Sequence, residues 1–468
     1  MLPLALAQFI ASYAGTNMNV AITTIADSIG TTVFGMQTTI TLFTLTMASL
    51  MIPGSRLTDI WGRKRCFVIG LVIYGSGAIL AALSQGLGLM IFGYSLLEGI
   101  GPALMIPPIY ILITVAFSDL KTRAKYFGVV SGAAGLGAAA GPLIGGLLTS
   151  AISWRASFAL QVLVVAWVIL LARRISDPPR SAAKPEFDLA GAVLSAVGLL
   201  FVVLGILQTS TYGWAKSRKD FTVGSTVLIE KGGVSPIWIF VAIGALVLFW
   251  FFRHIRGRER RHREPLIALR LFGNRTANLG LSTQLVQWLT MQGSFFVISV
   301  FVQQNWHYDA IQTGLVLTPA TIGILSSSAI AGRLAKRRSQ ATLVRAGFAL
   351  TVVGLAAILA LVRPDSGFAT FIPGLLLVGF GVGVMLTSSV NVVQSAFPES
   401  DQGEISGLSR SVSNLGSSLG TSLAGSVIVA ATHPGARPFG AALATMLAIA
   451  VIGLVLALRL PREQHVPG

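Results

Sequence analysis

The sequence predicts an all-α integral membrane protein of fourteen transmembrane helices. Three observations predict it. Only 11% of the residues are charged while 53% are hydrophobic, apolar runs of span length recur from end to end, and the basic residues gather in the short segments between those runs. Soluble domains carry about 25% charged residues, so a 468-residue chain with under half that share cannot face water on all sides.

A hydrocarbon core about 30 Å thick takes roughly 20 apolar residues per helix. Such segments fall at 3–26, 36–53, 66–84, 88–116, 126–149, 157–173 and 189–210. They continue at 236–252, 277–302, 311–330, 342–362, 369–395, 404–431 and 438–460. The first begins almost at Met1, without the basic n-region and small-residue cleavage site of a secretory signal. Gly and Ser dilute the hydropathy of the last two.

Charge orients the spans. With both termini on the cytoplasmic side, the cytoplasmic segments hold 26 Lys and Arg and the opposite segments seven, with Arg410 inside a span. That asymmetry follows the positive-inside rule and predicts cytoplasmic N- and C-termini; the expected location is a bacterial cytoplasmic (inner, plasma) membrane, multi-pass. The richest segment, 253–276, carries eight basic residues and reads as a loop in contact with anionic lipid. The segment 211–235 carries four basic residues on the other side and breaks the rule.

Several chemistries are excluded. The net charge of +17 forms no single stripe, so nucleic acid is not a partner. One cysteine, Cys66, gives neither a disulfide framework nor a thiolate metal site. The histidines His254, His262, His307, His433 and His465 lie in loops or the tail without metal-ligand spacing. There is no GxxxxGK[ST], no GxSxG and no paired-acid constellation, so no catalytic residue, metal or cofactor is expected and the chain is not expected to be an enzyme.

Internal symmetry recurs in transporter folds. GSRLTDIWGRKR (54–65) is echoed by AGRLAKRRS (331–339) at an offset of 277, and GIGPALM (99–105) by GFGVGVM (379–385) at 280. These offsets predict two six-helix bundles, at 1–175 and 277–460, with two additional helices at 189–252 between them.

Three regions carry the chemistry. The short loop after the second span reads Ser55-Arg56-Leu57-Thr58-Asp59-Ile60-Trp61-Gly62-Arg63-Lys64. Gly62 permits a sharp turn, and Asp59 can accept from guanidinium groups or sit at a helix N-terminus. The fifth span holds GLGAAAGPLIGG (135–146), in which Gly137, Gly141 and Gly145 make a small face for close helix approach, Gly146 extends it, and Pro142 bends the span. Glu98 is the clearest carboxyl deep in a span, and ionisable groups at that depth face a cavity or a partner.

These motifs resemble the major facilitator superfamily, and within it the fourteen-helix drug:proton antiporters of multidrug efflux type, over nearly the whole chain. The loop resembles G-x-L-a-D-r-x-G-r-k, which implies a cytoplasmic latch of Arg56, Asp59, Gly62, Arg63 and Lys64. Ser55 and Ile60 depart from the pattern, and Lys336 replaces the acid in the second copy, which weights the latch to the first half. The fifth-span run resembles the antiporter signature G-x-x-x-G-P-x-x-G-G, which implies an exporter. Elsewhere the sequence departs from the family. Ala14 stands where an acid is usual in span one, and Ser95-Leu96-Leu97-Glu98-Gly99 stands where R-x-x-Q-G is usual in span four.

The resemblance implies a secondary active transporter that exports amphipathic or cationic small molecules against protons by alternating access. The expected unit is a monomer, with protons, membrane lipids and a small-molecule substrate as partners. Glu98 is the proton-coupling candidate or a counter-charge for a cationic substrate. Its alternative is a neutral acid bonding a neighbouring helix. Arg410 could pair with Glu98, attract an anionic substrate or snorkel. Cavity candidates are Asn17, Asn19, Gln161, Gln284, Gln287, Trp288, Gln292, Asn391 and Gln394, although each polar one could equally join two helices. The remaining readings are an exporter of a lipid, sugar or metabolite, an uncoupled facilitator, and a membrane scaffold or sensor on the same fold.

Overall fold

The computed structural model describes residues 1–117, 120–175, 186–223, 226–334, 338–363, 366–398, 401–430 and 438–461. The chain starts with α1 (Leu2–Asn17), which passes through a 3-10 turn at Met18–Val20 into α2 (Ile22–Ser28). α3 (Val33–Trp61) and α4 (Arg63–Ala82) follow, joined at Gly62, whose φ of 99° lies where glycine is favoured. α5 (Leu87–Met90) continues as a π-helical segment, Ile91–Leu97, into α6 (Glu98–Ala116). α7 (Leu120–Ala151) and α8 (Trp154–Ala172) complete the first part.

After α9 (Leu189–Leu207) and α10 (Thr209–Tyr212) comes a two-stranded ribbon, β1 (Phe221–Val223) and β2 (Thr226–Ile229), and then α11 (Ile237–Arg260). The last six helices are α12 (Arg275–Asn305), α13 (Ala310–Leu334), α14 (Gln340–Leu361), α15 (Ile372–Gln394), α16 (Gln402–Ala430) and α17 (Pro438–Leu458). Side-chain oxygens of Thr32, Ser153, Asp188, Asn274 and Ser339 cap their helices by accepting from backbone N–H groups in the first turn.

Twelve helices among the described residues are long and apolar enough to cross a membrane, not the fourteen expected. Two expected spans fall outside that set. The first is interrupted at Met18–Val20, which leaves α1 only 16 residues long. The other is α16, whose 29 residues are long enough but rich in Ser and Gly. Serine and glycine lower hydropathy while permitting the close helix packing that membrane interfaces use.

The internal repeat is visible in the packing. A Cβ on Gly101 would lie 2.9 Å from the Gly70 carbonyl and 2.5 Å from Tyr74 Cβ, so α6 touches α4 backbone to backbone. In the second part Gly381 of α15 lies against the Gly347 carbonyl and Thr351 of α14. Gly77 meets the Gly93 carbonyl and the Glu98 N–H as Gly354 meets the Gly374 carbonyl and the Val378 N–H. Each α4 residue and its α14 counterpart are 277 apart, the sequence offset.

Two seams join the parts. α3 packs along α16, where Ser411 and Ser418 donate to the carbonyls of Ala48 and Thr41 at 2.5 and 3.0 Å. α7 packs on α13, where Thr321 donates to the Ala139 carbonyl at 3.1 Å. α9 pairs with α11 and rides the first seam, burying Val203 and Leu207 against Leu45 of α3, with Leu415 and Leu419 of α16 beside them.

Candidate functional site

Glu98 begins α6 and is completely buried. Neither carboxyl oxygen has a hydrogen-bond partner among the described residues, Arg410 included. Tyr13 of α1, Tyr74 of α4 and Tyr94 stand within electrostatic range of it. The Tyr74 hydroxyl lies beside the carboxyl and is also within hydrogen-bond reach of Gln161 Oε1 and the Ile10 carbonyl (3.3 Å). Tyr94 donates to the Ala14 carbonyl at 2.9 Å, so it closes on the position where the resemblance would put an acid. Tyr13 and Ser157 share a hydroxyl–hydroxyl bond of 2.5 Å, and Asn17 Nδ2 donates to the same Ser157 Oγ at 2.9 Å. Glu98 therefore faces α1 and α4 inside the first part. It makes no ion pair among the described residues, and the Tyr74 hydroxyl of α4 is the polar group beside it.

The local backbone is irregular at the same place. Gly93 and Gly374 are 281 residues apart, but Glu98 and Val378 are 280 apart, so the first part holds one extra residue between these two contacts. That residue is absorbed in the π-helical segment Ile91–Leu97, whereas α15 is regular from Ile372. Single-turn π segments inside helices concentrate at functional sites. The valine at 378 packs in the position where the first part carries a buried acid.

The glycines of α7 lie at contacts on both sides of that helix. A Cβ on Gly137 would strike the Phe9 carbonyl, one on Gly141 the Thr16 hydroxyl, and one on Gly145 would lie 2.9 Å from Asn17 Cβ, all on α1. Gly146 instead faces α13, where a Cβ would lie 2.5 Å from the Ala310 carbonyl, and the Pro142 carbonyl lies equally close to a Cβ on Gly314. α7 is thus wedged between α1 and α13.

The polar candidates divide by what they join. Gln284 and Gln287 accept from Ser409 and Ser389 at 2.8 and 2.9 Å, which ties α12 to α16 and α15. Their Nε2 atoms are buried without partners among the described residues. Gln292 Nε2 donates to the Gly15 carbonyl at 3.0 Å and so crosses between the parts. Gln394 donates to Ser406 at 3.1 Å, Trp288 packs against Gly416, and Asn391 is half-buried. Asn19 is buried, and its backbone carbonyl accepts from Gln303 Nε2 at 3.0 Å.

Gln303 also accepts from the Thr23 N–H and hydroxyl, and Gln37 donates to the carbonyls of Thr421 and Ser422. Sequence reasoning missed both glutamines. Their bonds join residues 280 to 385 positions apart, so nothing local set them apart from the other glutamines.

At the end bearing Gly62, Arg56 reaches across the α3–α16 seam to Glu404 at 2.6 Å and donates to the Pro265 and Leu266 carbonyls. Glu404 Oε2 accepts from the Ala268 N–H at 3.3 Å. Arg63 opens α4, and Lys64 Nζ donates to the Arg173 carbonyl at 3.2 Å. Asp188, buried, accepts from His254 at 2.8 Å and from the Leu266 N–H at 3.2 Å, fixing the same loop to α9 and α11. The Asp59 side chain and Lys336 lie outside the described residues. Arg410 is half-buried on α16 between Ser409 and Ser411. Glu404, the acid that meets the latch arginine, was not singled out from sequence because it lies 348 residues away.

A family model for the Major Facilitator Superfamily matches residues 4–273, 221–421 and 280–468. The chain is similar to the probable actinorhodin transporter of Streptomyces coelicolor, 27% identical over 422 residues that cover 88% of this chain and 69% of the relative. It is also similar to the multidrug resistance protein Stp of Mycobacterium tuberculosis, 25% identical over 413 residues that cover 88% and 72%. Among solved structures the nucleoside transporter NupG superposes with a TM-score of 0.63 at 11% identity, covering 98% of this chain and 99% of that one, a likeness of fold.

Proposed function

The chain belongs to the Major Facilitator Superfamily, and on that premise we propose that it exports amphipathic small molecules, cations among them, in exchange for protons. It is a multi-pass membrane transporter and not an enzyme. Relatives named for antibiotic transport and multidrug resistance support export.

The observation that carries proton coupling is the asymmetry at Glu98. A buried, unpartnered carboxyl stands where the repeat places Val378, beside a one-residue insertion. Packing does not require an acid there. Ionised, it needs a counter-charge that the surrounding tyrosines cannot supply, and a proton or a cationic substrate can. The two seams would then open and close in turn around it, with Arg56 and Glu404 as the latch and the α7 glycines as the surface that α1 and α13 meet.

The proposal includes a finer architecture. Fourteen segments cross the membrane, because α1 with α2 runs from Leu2 to Ser28 and α16 has 29 residues, each enough to span. They form bundles at 1–175 and 277–460, the pair at 189–252 and the loop at 253–276. The charge asymmetry supports cytoplasmic N- and C-termini, the bacterial relatives support a bacterial membrane, and the proposed functional unit is the monomer.

The test is uptake of a fluorescent cation into proteoliposomes with and without a pH gradient. Gradient-driven flux that Glu98→Gln abolishes is expected. Flux indifferent to the gradient indicates a facilitator, and wild-type behaviour of Glu98→Gln removes the coupling role.

A further inference from the structure

The stretch between α9 and α11 carries Lys216, Arg218, Lys219 and Lys231, all exposed, at the end of the molecule where basic residues are few. Its ribbon pairs Phe221 with Ile229 and Thr222 with Val227, and a register shift between the two pairs leaves Leu228 unpaired and breaks the alternation of β2. Paired residues share one face, so Phe221 and Ile229 face together and Thr222 and Val227 face the other way. Phe221 packs edge-on against Tyr212 and Phe240, with ring centroids 5.5 and 6.1 Å apart. That anchors the ribbon on α10 and α11, and Arg218 fixes it further by donating to the Ala430 carbonyl of α16 at 3.2 Å.

The other face is open: Val227 on it is 48% exposed, and the unpaired Leu228 next to it is 58% exposed, so two adjacent aliphatic side chains stand clear of the protein. Trp238 donates from its indole nitrogen to the Trp214 carbonyl at 3.0 Å, and both indoles are exposed. Tryptophan concentrates where a span meets the headgroups. The outward row of α11, with Ile239, Ile243, Leu246 and Phe249, continues down from Trp238. The two acids in the stretch are Asp220, whose carboxylate accepts from the Lys231 N–H at 2.6 Å, and Glu230. The balance remains positive.

We propose that this ribbon is a membrane-surface element that lies on anionic phospholipid headgroups. Val227 and Leu228 dip among the acyl chains, and Lys216, Lys219 and Lys231 meet the phosphates. Two arguments identify the occupant: charge complementarity, and continuity with the apolar face of α11 that the bilayer covers. The ribbon also accounts for four basic residues in a segment that topology alone would leave neutral. The inference is independent of the exporter reading.

The experiment places a spin label at Leu228→Cys, the native Cys66 being buried, in the full chain reconstituted in nanodiscs. In phosphatidylglycerol nanodiscs the label is expected to be accessible to oxygen and shielded from a water-soluble nickel reagent, by about tenfold relative to phosphatidylcholine. Lys216→Gln, Lys219→Gln and Lys231→Gln together should abolish that difference. A second measurement needs no new cysteine: dibrominated phosphatidylglycerol should quench the fluorescence that Trp214→Phe removes. Equal water exposure of the label in both lipids, or a difference that survives the triple substitution, would overturn the proposal.

Discussion

Glu98 and Val378 occupy equivalent places in two packed helix pairs, so a single substitution separates packing from chemistry. Glu98→Val should insert, fold and melt within a few degrees of the wild type, because the second part already accommodates valine there. Gradient-driven uptake in proteoliposomes should fall at least about tenfold, the loss of a coupling group. A variant that transports normally would show the acid to be idle. Arg56 offers a second test at this scale. Its pair with Glu404 is four-fifths shielded on both sides, with side-chain exposures of 19% and 22%. A double-mutant cycle of Arg56→Gln and Glu404→Gln should give a coupling of about 1–2 kcal/mol. The combined reversal Arg56→Glu with Glu404→Arg should recover part of it. A coupling near zero would mean that the pair holds nothing shut.

At the scale of elements, α6 and α7 carry the irregularities that matter. Deleting Leu96, a lipid-facing residue of the π-helical segment, should turn the first part into a copy of the regular α15. Helix content should persist while transport falls, since Tyr94 would lose its bond to the Ala14 carbonyl. If the deletion is silent, the extra residue has no role. In α7, Gly146→Ala would drive a Cβ to 2.5 Å from the backbone carbonyl of Ala310, which has no flexible side chain to yield. The expected cost is about 1–3 kcal/mol against the state with α7 and α13 closed. Cross-linking across that seam should drop accordingly, and an unchanged yield would count against the close approach.

Across the whole molecule, the inserted pair covers the α3–α16 seam. α9 spans α3 and α16, its Val203 and Leu207 filling the groove above Leu45, and Asp188 and His254 join the inserted pair to the loop that Arg56 holds. The pair is therefore positioned to follow, or restrain, any separation of the two parts along α3–α16. The Arg56–Glu404 pair lies at one end of this seam and Arg218 on Ala430 at the other.

Much of the fold was legible because its signals are local. A helix in lipid satisfies its own backbone, so run length, capping residues and the turn at Gly62 mark where helices start and stop. The Gly-Pro run of α7 announced close packing, and two echoes at offsets of 277 and 280 announced the repeat. The span count was less secure: Ser and Gly in α16 serve helix contacts at the expense of hydropathy. The site was legible only as residue types. Glu98 stood out because a carboxyl in an apolar run is costly wherever it points. Its orientation toward α1 and α4, the tyrosines beside it, and the crossing bonds of Gln292, Gln303 and Gln37 depend on which helices become neighbours. The sequence by itself determined a membrane protein of repeated helices with one misplaced acid, since hydropathy and periodicity act along the chain. Only the tertiary structure decided that the acid is sealed in one half and that Arg56 reaches Glu404, because those contacts join residues hundreds of positions apart.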